Sequence, residues 1–173
     1  MAWNAHHDIG ESGFTIDDKK KLIRTIEDKY KVYISSENEL PYELLEYKIN
    51  IPPEKMHDVL AHASVYVGEG ASMASEAACL GVPSVYVNSL NVGYIKEVEK
   101  YGLVINLRNA EDLPRVLERL INDSITKDKV KDKLRSFLKD KIDVSAFLVW
   151  FIECFPESIR IMKGNPEFQE RFK

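Results

Sequence analysis

The chain has 173 residues, 45% of them hydrophobic and 30% charged, with a formal net charge of −4. That length suits one domain with a well-formed core, or one domain plus a helical appendage, and the composition argues against disorder. A mildly acidic balance, with lysines interleaved among Asp and Glu, excludes a general electrostatic case for nucleic acid as partner. Cys79 and Cys154 are far apart and lack metal-ligand spacing. They read as buried free thiols of a reducing cytoplasm, with no metal site and no cofactor implied. The apolar run from Ala146 to Ile152 is too short to span a bilayer, and the polar opening residues do not look like a secretory signal.

In chain order, Trp3-Asn4-Ala5 reads as the stump of a strand, and a start at an internal domain boundary would produce it. A polar loop follows, and Thr15 with Asp18 three residues on signals a capped helix. Leu22, Ile23, Ile26 and Tyr30 form its apolar face. Lys31–Ser35 and Tyr47–Ile51 are short β-rich runs. Pro52 and Pro53 open a helix whose apolar face is Met56, Val59, Leu60 and Ala63. Ser64–Val67 is a strand, followed by a glycine loop and a small-residue helix from about Ser72 to Leu80. Gly81 caps that helix and Pro83 forbids its continuation. Ser84–Val87 is a strand, Ile95, Val98 and Tyr101 mark a helix closed by Gly102, and Leu103–Leu107 is a further strand. Leu113, Val116, Leu117 and Leu120 mark the next helix, and charged and then apolar helices cover about 126–141 and 144–155.

Short strands alternating with helices predict an α/β fold. The expectation is a Rossmann-like, doubly wound parallel sheet of about six strands in order 3-2-1-4-5-6, with extra C-terminal helices. Residues 1–123 would form the ligand-binding domain and 124–173 a helical extension packed on it.

The strongest chemical signal is the run Val67-Gly68-Glu69-Gly70-Ala71-Ser72, a strand, a tight turn and a helix start. Such a turn aims backbone N–H groups and the positive end of a helix dipole beyond the strand. Gly68 and Gly70 permit positive φ, and Ala71 and Ser72 leave room for a phosphate. Glu76, four residues after Ser72, shares a helix face with it and can accept hydrogen bonds from ribose hydroxyls. A glycine turn packed tightly on the sheet, with Glu76 merely solvated, explains the same residues.

Continued through Ser75-Glu76-Ala77-Ala78 and Leu80-Gly81-Val82-Pro83, this run resembles the nucleotide-sugar loop of GT-B glycosyltransferases and UDP-N-acetylglucosamine 2-epimerases. With Trp3–Gly10 and Ile34–Glu37, it looks more closely like an uncharacterised archaeal and bacterial family of GT-B architecture. The resemblance runs from Trp3 to about Phe155 and corresponds to the C-terminal half of such proteins, so a missing N-terminal domain would be a partner. It implies that Gly70, Ala71 and Ser72 contact the diphosphate of a UDP-type sugar and that Glu76 binds the ribose. Glu69 departs from the pattern, because a carboxylate beside a diphosphate is repulsive unless it turns away or meets a cation.

His6 and His7 are the candidates for phosphate neutralisation or general-acid work, since imidazole titrates near neutrality; incidental histidines in a terminal loop are the alternative. Asn88, just after the Ser84–Val87 strand, is placed to contact the sugar or to make a plain turn. Ser35–Glu37 suits a turn, and ordinary amphipathic positions account for His57 and His62. Phe147, Leu148, Trp150, Phe151 and Ile152 are too apolar for a free surface, so this helix covers the sheet, forms a homodimer or meets a membrane interface. Two functions follow as expectations. One is the nucleotide-sugar half of a GT-B-type glycosyltransferase or epimerase, inactive alone; the other is a non-catalytic ligand-binding or dimerisation module.

Overall fold

The computed structural model describes residues 14–36, 38–122 and 127–173. The chain divides into two compact units, Met1–Leu134 and Arg135–Lys173.

In the first unit, α1 (Ile16–Ile26) opens on a complete capping box. The Thr15 hydroxyl accepts the Asp18 N–H at 3.1 Å, and the Asp18 carboxylate accepts the Thr15 N–H at 3.0 Å. That arrangement holds the Asp18 carboxyl below its usual pKa, through the Thr15 hydroxyl first and its N–H second. After a 3-10 turn over Tyr42–Tyr47 and another over Pro53–Lys55 come α2 (Met56–His62), β1 (Tyr66–Gly68), α3 (Ala71–Cys79), β2 (Ser84–Val87), α4 (Gly93–Lys100), β3 (Val104–Leu107) and α5 (Leu113–Asn122).

Among the described residues the sheet has three parallel strands in order β1-β2-β3. Val67 pairs with Val85, and Val85 with Ile105. This corrects the expectation of a doubly wound, six-stranded sheet in order 3-2-1-4-5-6. The Lys31–Ser35 run makes one parallel bridge, Ile34 to Lys48, with two backbone bonds: Ile34 N–H to Tyr47 and Ile49 N–H to Ile34. Neither partner extends it. Both limits fall on the Tyr47–Ile51 run: Tyr47 is consumed by the 3-10 turn that starts after Pro41, and Pro52-Pro53 end the run by removing ladder donors. The stump at Trp3–Ala5 lies outside the described residues.

Alternation along the strands divides the core. Val67, Val85 and Val87 join Leu22 of α1 and Leu113 and Leu117 of α5 on one face. Tyr66, Tyr86 and Asn106 alternate to the other face, where α3 and α4 pack and the Asn106 side chain reaches Glu99 of α4 at 3.4 Å. Because Ala74, Ala77 and Ala78 are fully buried, α3 lies close against the strands. Ile23, one residue beyond Leu22, enters a second cluster with Ile34, Leu40 and Leu44.

Two helix exits share one geometry. Gly81 (φ 77°) follows α3 and Gly102 (φ 67°) follows α4. The Val82 N–H reaches Ala77 and the Gly81 N–H reaches Ala78, while Leu103 reaches Val98 and Gly102 reaches Glu99. Both are Schellman turns, which require a left-handed residue where these glycines stand. From α6 (Lys127–Asp140), Lys133 donates to the Gly102 carbonyl at 3.1 Å.

In the second unit, α7 (Val144–Glu153) is capped by the Asp143 carboxylate, which accepts the Ala146 N–H at 2.9 Å. The Phe155–Pro156 peptide is cis and leads into α8 (Glu157–Gly164). Buried Ser158 donates to the Phe151 carbonyl at 2.6 Å, fastening α8 to α7. A final 3-10 turn over Pro166–Phe172 places Phe168 and Phe172 against Trp150, at 4.7 and 5.5 Å between ring centroids. Among the described residues no helix is long and apolar enough to cross a membrane. Cys79 and Cys154 are free and exposed, which corrects the expectation of buried thiols.

Candidate functional site

The loop between β1 and α3 leaves the sheet at the C-terminal ends of the parallel strands. Gly68 is the last residue of β1, Gly70 is the N-cap of α3, and Ala71 and Ser72 are its first two helical residues. Gly70 is extended (φ −81°, ψ 112°), and the positive-φ glycines among the described residues are Gly81 and Gly102. The expected left-handed turn at Gly68 and Gly70 is therefore corrected. The chain enters α3 directly from an extended conformation.

No side chain caps α3. Glu69, the residue best placed to oppose an anion there, is otherwise engaged. Its carboxylate accepts the Phe14 N–H at 2.6 Å and the Lys19 ammonium at 2.9 Å. The side chains are 1% exposed at Lys19 and 8% at Glu69. Burial pulls the Lys19 ammonium below its ordinary pKa, and the hydrogen bond and charge of Glu69 oppose that fall. The Glu69 carboxylate thus meets its cation inside the protein.

Asn88 is buried at the end of β2. Its amide donates to the Glu69 carbonyl at 3.3 Å, and its side-chain oxygen accepts the Leu90 N–H at 2.9 Å. Asn88 consequently ties the loops after β1 and β2 together, and both ends of its carboxamide are occupied. Tyr66 sits beneath them with its hydroxyl 3.5 Å from the Gly70 carbonyl. Burial, reinforced by the charges of Glu69 and Glu76, pushes its phenol up, so it remains a neutral donor.

Ser72 is exposed, with its hydroxyl 3.5 Å from that of Tyr94 on α4. Glu76, one turn further along α3, lies 3.1 Å from His57 Nε2 of α2, and both side chains are open to solvent. The Ser75 hydroxyl is enclosed without a partner among the described residues. The structure thus gathers Gly70, Ala71, Ser72 and Asn88 around one loop, with Glu76 a turn away. His6 and His7 lie outside the described residues. His62 bonds the Asp58 carbonyl of its own helix at 2.7 Å, and the Ser36 hydroxyl closes a turn on the Asn38 carbonyl at 2.8 Å.

Three residues enter that sequence reasoning did not assign to the site: Lys19, His57 and Tyr94. Lys19 carried a legible signal, since it stands three and four residues before Leu22 and Ile23 and so extends the buried stripe of α1. Nothing in the sequence pairs His57 with Glu76 or Tyr94 with Ser72. Among the described residues no cluster of His, Cys, Asp and Glu could hold a metal ion. A hollow of 460 Å³ between α1 and α5 is lined by Leu22, Ile26, Tyr30, Leu117 and Ile121 among others, and it includes none of these loop residues.

Chemically, the arrangement offers backbone N–H groups at a helix start, two neighbouring hydroxyls and an exposed carboxylate–imidazole pair. Groups of these kinds are the ones that meet anions and hydroxyls in proteins. The chain matches no family model, no curated protein and no solved structure.

Proposed function

We propose that the Gly68–Ser72 loop and the start of α3 receive the diphosphate of a UDP-type nucleotide sugar. The chain would serve as the ligand-binding half of a GT-B-type glycosyltransferase or sugar-nucleotide epimerase. The observation that carries this reading is the withdrawal of Glu69 onto Lys19 and the Phe14 N–H. It removes the one carboxylate in the loop and leaves the uncapped, dipole-positive end of α3 for an anion. Ser72 and Tyr94 add hydroxyl donors beside it. Glu76, exposed one turn on, is the ribose acceptor, with His57 as its neighbour.

Binding is the role assigned to this chain; chemistry needs groups beyond it, because the described residues hold no complete nucleophile–base set. We place it in the cytoplasm, where free exposed thiols such as Cys79 and Cys154 persist. The second reading, a non-catalytic binding module, is favoured by the His57–Glu76 contact, which already occupies the proposed ribose acceptor.

The test is thermal unfolding with UDP, UDP-N-acetylglucosamine, ADP and GDP, titrated to high excess. A ligand at its Kd adds only about 0.4 kcal/mol, and one at a hundredfold excess adds about 2.7 kcal/mol. The expected result is a uridine-selective rise that Glu76→Ala abolishes. Absence of any nucleotide effect at saturation overturns the proposal in favour of the binding-module reading.

A further inference from the structure

The second unit carries an apolar surface with a definite shape. One side of α7 is consumed internally: Phe147 and Trp150 stack with Phe172 at 5.6 and 5.5 Å between centroids. The other side is open. Val144, Leu148 and Ile152 recur at spacings of four, which places them on one face, and Phe155 follows in the turn just past the helix end. They are 58, 49, 72 and 64% exposed, and Val149 beside them is 55% exposed. At roughly 200 Å² for a fully exposed aromatic residue and less for the four aliphatic ones, these five leave on the order of 500 Å² uncovered. That lies in the upper part of the range for the largest patch on a monomer, about 300–600 Å², and is more than half of the roughly 800 Å² that each partner contributes to a stable interface.

We propose that this face of α7 is a homodimer interface in which two copies pair antiparallel about a two-fold axis. Three observations select a second copy as the occupant. The stripe contains no charged residue, so it is complementary to itself. Its area is more than half of one side of a standard interface. Its flanks carry both signs, Asp143, Glu153 and Glu157 beside Lys141 and Arg160, so they lack the basic excess with which a helix meets an anionic membrane surface. Antiparallel pairing also opposes the two helix dipoles. In that register Leu148 of one copy seats against Ile152 of the other, and Val144 against Phe155.

Sedimentation velocity of the full chain over a concentration series tests this. The expected result is twice the 19.9 kDa chain mass for the wild type and monomer for Ile152→Asp, with unchanged far-UV circular dichroism. Ile152 is among the most exposed residues of the stripe, so its replacement leaves the aromatic packing intact. A second measurement stands independently of that variant. In a Cys79→Ser, Cys154→Ser background, Leu148→Cys mixed with Ile152→Cys should form more disulfide-linked dimer on oxidation than either alone. A wild type that stays monomeric, a dimer that survives Ile152→Asp, or stronger self-linking than cross-linking each overturns the proposal.

Discussion

Replacing Lys19 by Met removes the cation of the buried pair while keeping a side chain of similar length on α1. Glu69 is then left with the Phe14 N–H as its remaining strong donor, at 2.6 Å, in a site where its side chain is 8% exposed. Stranding a buried charge in this way costs about 3–5 kcal/mol, a large share of the roughly 5–15 kcal/mol that holds a domain folded. The partner substitution Glu69→Gln retains an oxygen for the Phe14 N–H and takes away the carboxylate charge that Lys19 meets. Combined, Lys19→Met and Glu69→Gln leave no charge, so most of the loss returns and the cycle shows a coupling of about 2 kcal/mol or more. Urea denaturation followed by far-UV circular dichroism measures all four proteins. Lys19→Met costing under about 1 kcal/mol, or a strictly additive double variant, would refute the account of Glu69 as an internally neutralised carboxylate. The pair also has a pH signature. Lys19 titrates below 10.5 when folded and at 10.5 when unfolded, so in that window the unfolded chain holds more protons. Stability therefore rises with pH between the folded value and 10.5, a slope that Lys19→Met removes.

Other consequences are as direct. Thr15→Ala should cost about 1 kcal/mol in the same denaturation assay, since it deletes the hydroxyl half of the capping box. Asp18, held below 3.8 by Thr15, stabilises the fold above that pH and ceases to as pH falls through its folded value; Asp18→Asn should flatten the acid limb of a stability–pH curve. Gly102→Ala should cost about 1–2 kcal/mol from its φ of 67°, with the added methyl 2.9 Å from the mobile end of Lys133. Partial desolvation of a residue that is still exposed, with the Glu76 charge adding to it, pushes the Cys79 thiol up; in a Cys154→Ser protein, alkylation at neutral pH should run slower than for free cysteine.

What could be read from the sequence was what short-range rules govern. Thr15 with Asp18, Gly81 before Val82-Pro83, and the Val-rich run at Ser84–Val87 each announce a structure formed by near neighbours. The extent of the sheet was not of that kind. Lys31–Ser35 and Tyr47–Ile51 have strand-like composition, yet strand pairing depends on what stands beside them, and a 3-10 turn and two prolines confine them to one bridge. The site divides in the same way. Strand, loop and helix around Gly70 were legible, whereas the partners of Glu69 lie 50 and 55 residues away and follow from tertiary packing. Lys19 could have been singled out as a cation on an apolar stripe, but no periodicity names the carboxylate it meets.

The knot around Glu69 bears on how a ligand would be received. Phe14 and Lys19 hold its carboxylate and Asn88 holds its carbonyl, so three residues from two separate stretches of chain fix one loop residue. Conformational freedom that a glycine-bearing loop ordinarily surrenders on meeting an anion is here surrendered during folding. A bound anion would find the N–H groups of α3 already oriented, and its affinity would be reduced little by loop ordering. Loosening the knot would accordingly weaken binding through entropy, without removing a single contact to the ligand.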